Sequence, residues 1–238
     1  MISPEQVEVV DDFTPFGVHA FTTTRSVGNF GTQSSEPVAQ VMARWDALRA
    51  TAAAHGVRRL ATAAQVHGAH VLVHAAGWEG WLRGLRADGH VASTPGTAAA
   101  VTIADCVPVF IAHPSGAVAV LHSGWRGTAA RIVEQGIAAL THRGFPSSEL
   151  RLHLGPAICG ACYEVSPEVI EQLTGESASA PRTIDLRALI AEQARAAGVH
   201  HISISPSCTR HDNDRFFSHR AGDAGRQVGV IFAEPTVR

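Results

Sequence analysis

The sequence predicts an α+β fold in a single domain over residues 1–238. Three observations point there. β-Rich runs and helical patterns are mixed at irregular intervals instead of alternating strictly, which disfavours a doubly wound sheet. The length of 238 residues suits one large domain or two small ones and can bury a real core. No change of composition marks a linker: the polar stretch 174–181 (TGESASAP) reads as a loop, because the pattern resumes at once after it.

Taken in order, residues 19–25 (HAFTTTR), rich in Thr and aromatics, read as a strand. Residues 38–54 place apolar side chains at helical spacing behind Ser34, Ser35 and Pro37, which are helix-start signals. β-Rich runs follow at 60–66, 70–74, 98–104, 107–112 and 117–122. Residues 127–140 read as one helix ending near Gly144, 150–154 as a strand, and 167–173 as a short helix. A longer helix over 186–197 is closed by Gly198, and strands at 201–205 and 228–232 complete the pattern.

Composition narrows the function. Apolar residues make up 45% and charged residues 17%, as in an ordinary globular protein. The formal net charge of -2 and the lack of a basic run argue against a nucleic-acid surface or a membrane-seeking face. The start, MISPEQVEVVDDF, has no apolar core of signal-peptide length, so a cytoplasmic location is expected. The longest apolar stretches, such as VTIADCVPVFIA, are broken by Asp or Pro and fall short of a membrane span. All 19 basic residues are Arg, which excludes lysine Schiff-base chemistry and leaves Arg for anion binding.

Three short segments concentrate reactive side chains: Gln65-Val66-His67-Gly68, Ala104-Asp105-Cys106-Val107-Pro108 and His122-Ser123-Gly124-Trp125-Arg126-Gly127. Each places a metal-capable or nucleophilic group at the end of a β-run beside Gly or Pro, where a rigid sheet can present it to a shared cleft. Two imidazoles and a thiolate suit a borderline-soft ion such as zinc, and three protein ligands are one short of a closed structural site. Each residue also has a plainer reading: a surface or hydrogen-bonded His, a core Cys106, an Asp105 that caps a turn, a Trp125 that packs. The second half adds Gly155-Pro156-Ala157-Ile158-Cys159-Gly160-Ala161-Cys162-Tyr163-Glu164-Val165, then Cys208-Thr209, then Phe216-Phe217-Ser218-His219-Arg220 and Gly225-Arg226-Gln227. Cys159 and Cys162 form a CxxC with no second CxxC or nearby His pair to complete a zinc knuckle, so core packing is their expected role.

In this order, QVHG, ADCVPV, HSGWRGT, LGPAICGACYEV, CT and FFSHR–GRQ closely resemble the YfiH-like laccase-domain family, across residues 22–231. The resemblance implies layered mixed β-sheets flanked by helices, similar to bacterial deamidase toxins that use a Cys–His pair. It also implies a purine nucleoside phosphorylase with adenosine deaminase activity; older description of the family is polyphenol oxidase. Its metal ligands fall on His67, Cys106 and His122, expected to hold Zn2+, with copper the alternative. Asp105 and Arg126 join Cys106 as candidate catalytic residues, and Arg25, Asn29, Asp88 and Arg220 as candidate substrate contacts. The implied partners are purine nucleosides and inorganic phosphate, with the chain a monomer or homodimer. Departures lie in the shortened loop from Ser26 to Gly31, in HSGWRG for the usual HAGWRG, and in His219-Arg220-Ala221 after FFS. The rival readings are a Cys106–His hydrolase acting in peptidoglycan-precursor editing, a copper oxidase, for which the chain lacks HxH clusters, and a non-catalytic binding module.

Overall fold

The structure, a computed structural model, describes residues 1–235. Its strands are β1 (Val7–Val9), β2 (Val18–Thr23), β3 (Arg59–Ala63), β4 (Val71–His74), β5 (Gly80–Gly84), β6 (Gly89–Ala92), β7 (Thr97–Ile103), β8 (Val107–Ala112), β9 (Val118–Ser123), β10 (Arg151–Leu154), β11 (Glu164–Val165), β12 (Arg182–Thr183), β13 (His201–Ile204) and β14 (Gln227–Ala233). Its α-helices are α1 (Val38–Ala54), α2 (Trp125–Ala129), α3 (Ile132–Thr141), α4 (Pro167–Thr174) and α5 (Leu186–Ala196). Two six-stranded mixed sheets result, in the orders β1-β2-β14-β7-β3-β5 and β13-β10-β8-β9-β6-β4, with β11 and β12 forming a separate ribbon.

The central strands are buried on both faces, and side-chain alternation sorts each into two packing layers. Ala99, Val101 and Ile103 of β7 and Ile231 and Ala233 of β14 face Phe110 and Ala112 of β8 and Val118 and Val120 of β9 between the sheets. The opposite faces of β7 and β14 (Ala98, Ala100, Val228, Val230, Phe232) pack on the α1 stripe Val41, Trp45, Leu48 and Ala52. Val107, Val109, Ile111 and Leu121, on the outer face of the second sheet, pack on Ile132, Val133, Ile137 and Leu140 of α3 and Ile190, Ala191 and Ala194 of α5. The order of layers is therefore helix, sheet, sheet, helices, and the α+β reading with layered mixed sheets holds. Alanines at the inter-sheet faces keep that layer thin. Gly229 has the same effect: a Cβ there would lie 3.0 Å from both Pro108 Cβ and Phe110 Cζ. No helix of the described residues is long and apolar enough to cross a membrane.

The structure corrects the sequence reading at several elements. The single helix expected over 127–140 is two, α2 and α3, broken at Arg131, whose φ of 58° is left-handed. α2 is pinned close to the turn after β3, since a Cβ on Gly127 would lie 3.1 Å from the Gly68 carbonyl oxygen. The strands expected to run to Arg25 and Val66 stop at Thr23 and Ala63, where the chain turns into loops. β1, β5, β6, β11 and β12 were not anticipated, being short or interrupted by Gly80, Gly84 and Gly89.

His74 and His90 form a buried pair between the neighbouring strands β4 and β6, His74 Nε2 lying 2.9 Å from His90 Nδ1. His90 is fully buried, and burial pushes its imidazole down to about 3, the His74 ring adding to the effect and the Asp88 charge opposing it. Burial lowers His74 as well. The fold therefore excludes protons that the unfolded chain takes up near pH 6.5. Stability conferred by the neutral pair is complete above that pH and falls as the pH drops toward the folded value, by up to about 1.4 kcal/mol per pH unit per excluded proton. Urea unfolding between pH 7 and pH 4.5 is expected to show this slope, and His90→Asn to flatten it; equal slopes would show that the pair is not the source.

Candidate metal centre

Three strand ends converge at one end of the two sheets. After β3 the chain makes a turn in which His67 takes a left-handed φ of 58°. The turn is held by Asp88, one residue before β6, whose fully buried carboxylate accepts the amide N–H of Val66 (3.2 Å), His67 (2.9 Å) and Gly68 (2.8 Å). On β9, Val118 and Val120 face the first sheet, and the two-residue period carries His122 to the same side. Its backbone N–H donates to the Asp88 carbonyl oxygen (2.7 Å), and its Nδ1 donates to Asp88 Oδ1 (2.8 Å). With Nδ1 directed at Asp88, Nε2 is the nitrogen left to bind a metal. His122 is 3% exposed.

Cys106 follows Asp105, a second left-handed residue (φ 78°), in the turn between β7 and β8. Asp105 Oδ1 accepts the Thr209 hydroxyl (2.6 Å), Oδ2 accepts the Arg220 amide (2.7 Å), and its carbonyl oxygen accepts the Ile158 amide (3.1 Å). The carboxylate expected as a candidate catalytic group is thus engaged at both oxygens in holding the turn that presents Cys106.

The donor atoms of His67, Cys106 and His122 all lie within 4.8 Å of one another, close enough for one ion to reach all three. The two imidazoles stand nearly perpendicular, at 78° with centroids 4.8 Å apart. The chain passes tightly behind the cluster at Gly124, where a Cβ would lie 2.8 Å from Cys106 Sγ and 3.6 Å from His67 Cδ2. Access is graded: His67 is exposed, Cys106 half-buried and His122 buried. Burial alone would raise the Cys106 thiol, but the charge of His122 and hydrogen bonds from His122 and His67 outweigh it and favour the thiolate. Burial opposes a charged His122, yet the Cys106 charge and the Asp88 hydrogen bond raise it. Asp88 stays ionised despite burial, because His122 and the Gly68 and Val66 amides hold it below the usual carboxylate range. The donor set therefore fits a borderline-soft cation.

Tyr163, the only tyrosine in the chain, stands beside the centre. Burial first, and then the Cys106 charge, push its phenol up to about 12, so it remains an O–H donor at neutral pH. Arg220 lies 5.1 Å over the Tyr163 ring and donates through both Nη atoms to the Glu164 carbonyl oxygen (3.1 Å each). Arg126 is exposed and lies 4.2 Å over the Trp125 ring. Arg25 and Asn29 engage loop groups. Arg25 pairs with Asp223 (2.6 Å), donates to the Phe216 carbonyl oxygen (3.2 Å) and covers the Phe217 ring. Asn29 is buried, accepting the Gly31 and Arg226 amides and donating to the Gly31 carbonyl oxygen and Ser34.

Sequence reasoning did not single out Tyr163 or Gly124, although both stood within quoted segments; the uniqueness of the tyrosine was the available signal. It also assigned Cys159 and Cys162 to core packing for want of further ligands. The structure does pack Cys159, Cys162 and Cys208 with Ile158 in a small buried cluster, and it also gathers the three cysteines with His211, the donor atoms again all within 4.8 Å.

Comparison with known proteins identifies relatives of this chain. The family described as multi-copper polyphenol oxidoreductase laccase matches residues 18–234. A purine nucleoside phosphorylase of Streptomyces coelicolor is 36% identical over 178 residues, covering 71% of this chain and 73% of that protein. A purine nucleoside phosphorylase of Deinococcus radiodurans is 32% identical over 236 residues, covering 90% and 88%. Among solved structures, a Neisseria meningitidis protein superposes with a TM-score of 0.84 at 29% identity, covering 96% of this chain and 99% of that one. The YfiH protein of Bacillus licheniformis, at 22% identity, shares the fold with a TM-score of 0.85 and 98% coverage of each chain.

Asp88→Asn would keep the side chain's shape while removing the charge that fixes His122. Metal affinity, measured by competition with a chromogenic chelator, is expected to fall by roughly 10–100-fold. Unchanged affinity would mean that the carboxylate does not orient the ligand. Gly124→Ala is expected to weaken the same affinity by crowding Cys106 Sγ, with little change in the unfolding midpoint; a variant that binds as tightly as the parent would contradict this.

Proposed function

The chain belongs to the family described as multi-copper polyphenol oxidoreductase laccase, and from that premise we propose that it is a purine nucleoside phosphorylase with a zinc ion held by His67, Cys106 and His122. The observation that carries the reading is the convergence of those three donors beside a protonated tyrosine and two arginines. The relatives named purine nucleoside phosphorylase supply the reaction class. Zinc is favoured over copper by the sequence itself. Multicopper oxidation needs His-rich HxH clusters, and none of the 14 histidines recurs at that spacing. The two methionines are Met1 and Met42, and Met42 packs against the α1 core on the far side of the first sheet, where it cannot serve as an axial copper ligand.

When bound, the ion supplies Lewis acidity toward a substrate oxygen. The protein's own groups do the rest. Asp88 and the amides around it hold His67 and His122 in place. Arg126 and Arg220 offer planar guanidinium groups to inorganic phosphate. The phosphate oxygen bonds to C1′ of the ribose as the C1′–N9 bond breaks; the electron pair passes to the purine, which takes up a proton. Tyr163 supplies an O–H to hydrogen-bond the phosphate or the departing base. The products are the free base and ribose 1-phosphate from adenosine, inosine or guanosine, and the free base and 5-methylthioribose 1-phosphate from methylthioadenosine. The same centre serves adenosine deamination, in which water adds at C6 and ammonia leaves.

A second reading is favoured by one specific arrangement. Asp88, His122 and Cys106 line up as orienting acid, base and thiolate, the constellation of a cysteine hydrolase. Zinc-held thiolate resists alkylation, whereas a free catalytic thiolate is labelled quickly. Iodoacetamide labelling of Cys106 is therefore expected to be slow in the protein as purified and fast after chelation; fast labelling before chelation would favour the hydrolase.

The enzyme reading is tested by incubating purified protein with each nucleoside, with and without phosphate, and resolving the products by chromatography. Phosphate-dependent release of the base is expected. His67→Ala is expected to lose the metal of this centre and to lower kcat/KM by more than the roughly 10–100-fold that removal of an outer partner costs. Full turnover by a variant shown to hold no metal at this centre would overturn the proposal.

A further inference from the structure

A second cluster of metal-ligating side chains lies outside the centre described above. Cys159 and Cys162 bracket one tight turn, closed by the Cys162 amide on the Cys159 carbonyl oxygen (3.0 Å). Cys208 and His211 bracket another, at the same spacing of two intervening residues. There Asp212 caps the loop, its carboxylate accepting the Cys208 amide (2.9 Å) and its amide donating to the Cys208 carbonyl oxygen (2.8 Å). A parallel bridge between Ala157 and Cys208, with the Thr209 amide on the Ala157 carbonyl oxygen (3.2 Å), sets the two turns side by side.

The side chains then face a common point. Cys162 Sγ lies 3.1 Å from His211 Nε2, and Cys159 Sγ lies 4.0 Å from His211 Nδ1. The Cys159 amide points at Cys208 Sγ (3.3 Å). Cys162 and Cys208 are buried, Cys159 is half-buried, and the His211 ring closes the group from the solvent side.

We infer that Cys159, Cys162, Cys208 and His211 form a second, structural zinc site. Three sulfurs and one imidazole make a soft N/S donor set, and four protein ligands close a tetrahedral site with no position left for substrate. Core packing does not account for the arrangement, because it requires neither an exposed imidazole over three sulfurs nor two turns of matched spacing. A Cys159–Cys162 disulfide would leave Cys208 and His211 unexplained.

The fold supplies a reason for a clip at this place. The connection from β13 to β14, residues 205–226, contains no helix and no sheet strand. Loops of that length inside a compact domain need anchorage of their own. Both turns of the cluster also hold the other centre: the Ile158 amide and the Thr209 hydroxyl bind Asp105, and Tyr163 follows Cys162 directly. An ion here ties together the two loops that fix the Cys106 turn.

The test counts zinc per chain, by elemental analysis and native mass spectrometry, in protein produced with added zinc. The parent is expected to carry two equivalents, His67→Ala one, and His67→Ala combined with Cys162→Ser none. If instead the parent carries one equivalent and His67→Ala none, the inference fails while the reading of the first centre stands. If parent and His67→Ala each carry one, and Cys162→Ser loses it, the inference stands and the first centre is not a zinc site. Should the Cys162 variant not fold, cobalt loaded into His67→Ala reads the same question. Thiolate-to-cobalt charge-transfer absorption of tetrahedral, three-sulfur intensity supports the site, and its absence, or two thiols missing on titration of the unfolded protein, overturns it.

Discussion

The buried carboxylate of Asp88 is the constraint on which the arrangement depends. A carboxylate with no solvent exposure is strongly unfavourable unless its oxygens are satisfied. Here three consecutive backbone amides and one imidazole satisfy them, and the two kinds of donor serve different requirements of the site. The amides force the left-handed turn that turns His67 toward the cluster; the imidazole is fixed in the tautomer that leaves Nε2 available. Because the turn extends from the first sheet and both Asp88 and His122 belong to the second, the same group also joins the two sheets at their common end. A neutral amide in its place would present N–H groups to backbone donors, so shape alone cannot replace the charge.

How much of this was legible in the sequence depended on the range of the interaction responsible. α1 and β8 were read to the residue, because an apolar stripe at helical spacing and a continuous apolar run express burial locally. The break at Arg131 was not, since a left-handed non-glycine residue is imposed by what α2 and α3 pack against, not by propensity. β5 and β6 escaped notice because Gly80, Gly84 and Gly89 dilute the strand pattern. At the site, the three donor residues could be named from short segments and their order. The holding role of Asp88 could not, because its partners are backbone amides that carry no sequence signature. Cys208 and His211 displayed a suggestive spacing, yet only the bridge between Ala157 and Cys208 brings them to the CxxC.

The thin inter-sheet layer links packing to chemistry. Alanines at positions 20, 92, 99, 112 and 233 contribute less apolar area than larger side chains would, a loss offset by central strands buried on both faces. In exchange the sheets approach closely, and the ends of β3, β7 and β9 meet within the reach of three side chains. Gly124 and Gly127 extend the same economy of volume to the loop behind the cluster, where backbone runs against Cys106 and the Gly68 carbonyl. Small residues therefore set the positions of the large ones.

Asp105 is committed to positioning. Its two oxygens and its carbonyl bind Thr209, Arg220 and Ile158, which belong to loops far apart in the chain. A carboxyl group that accepts two hydrogen bonds in its ionised form is poorly suited to deliver a proton, because protonation would break at least one of them. The turn holding Cys106 would loosen with it. Tyr163 carries no such duty: its phenol stays protonated at neutral pH, within reach of the Cys106 charge. Burial thus favours the neutral form of the phenol, while both oxygens of the acid next to Cys106 are committed to the turn that presents the cysteine.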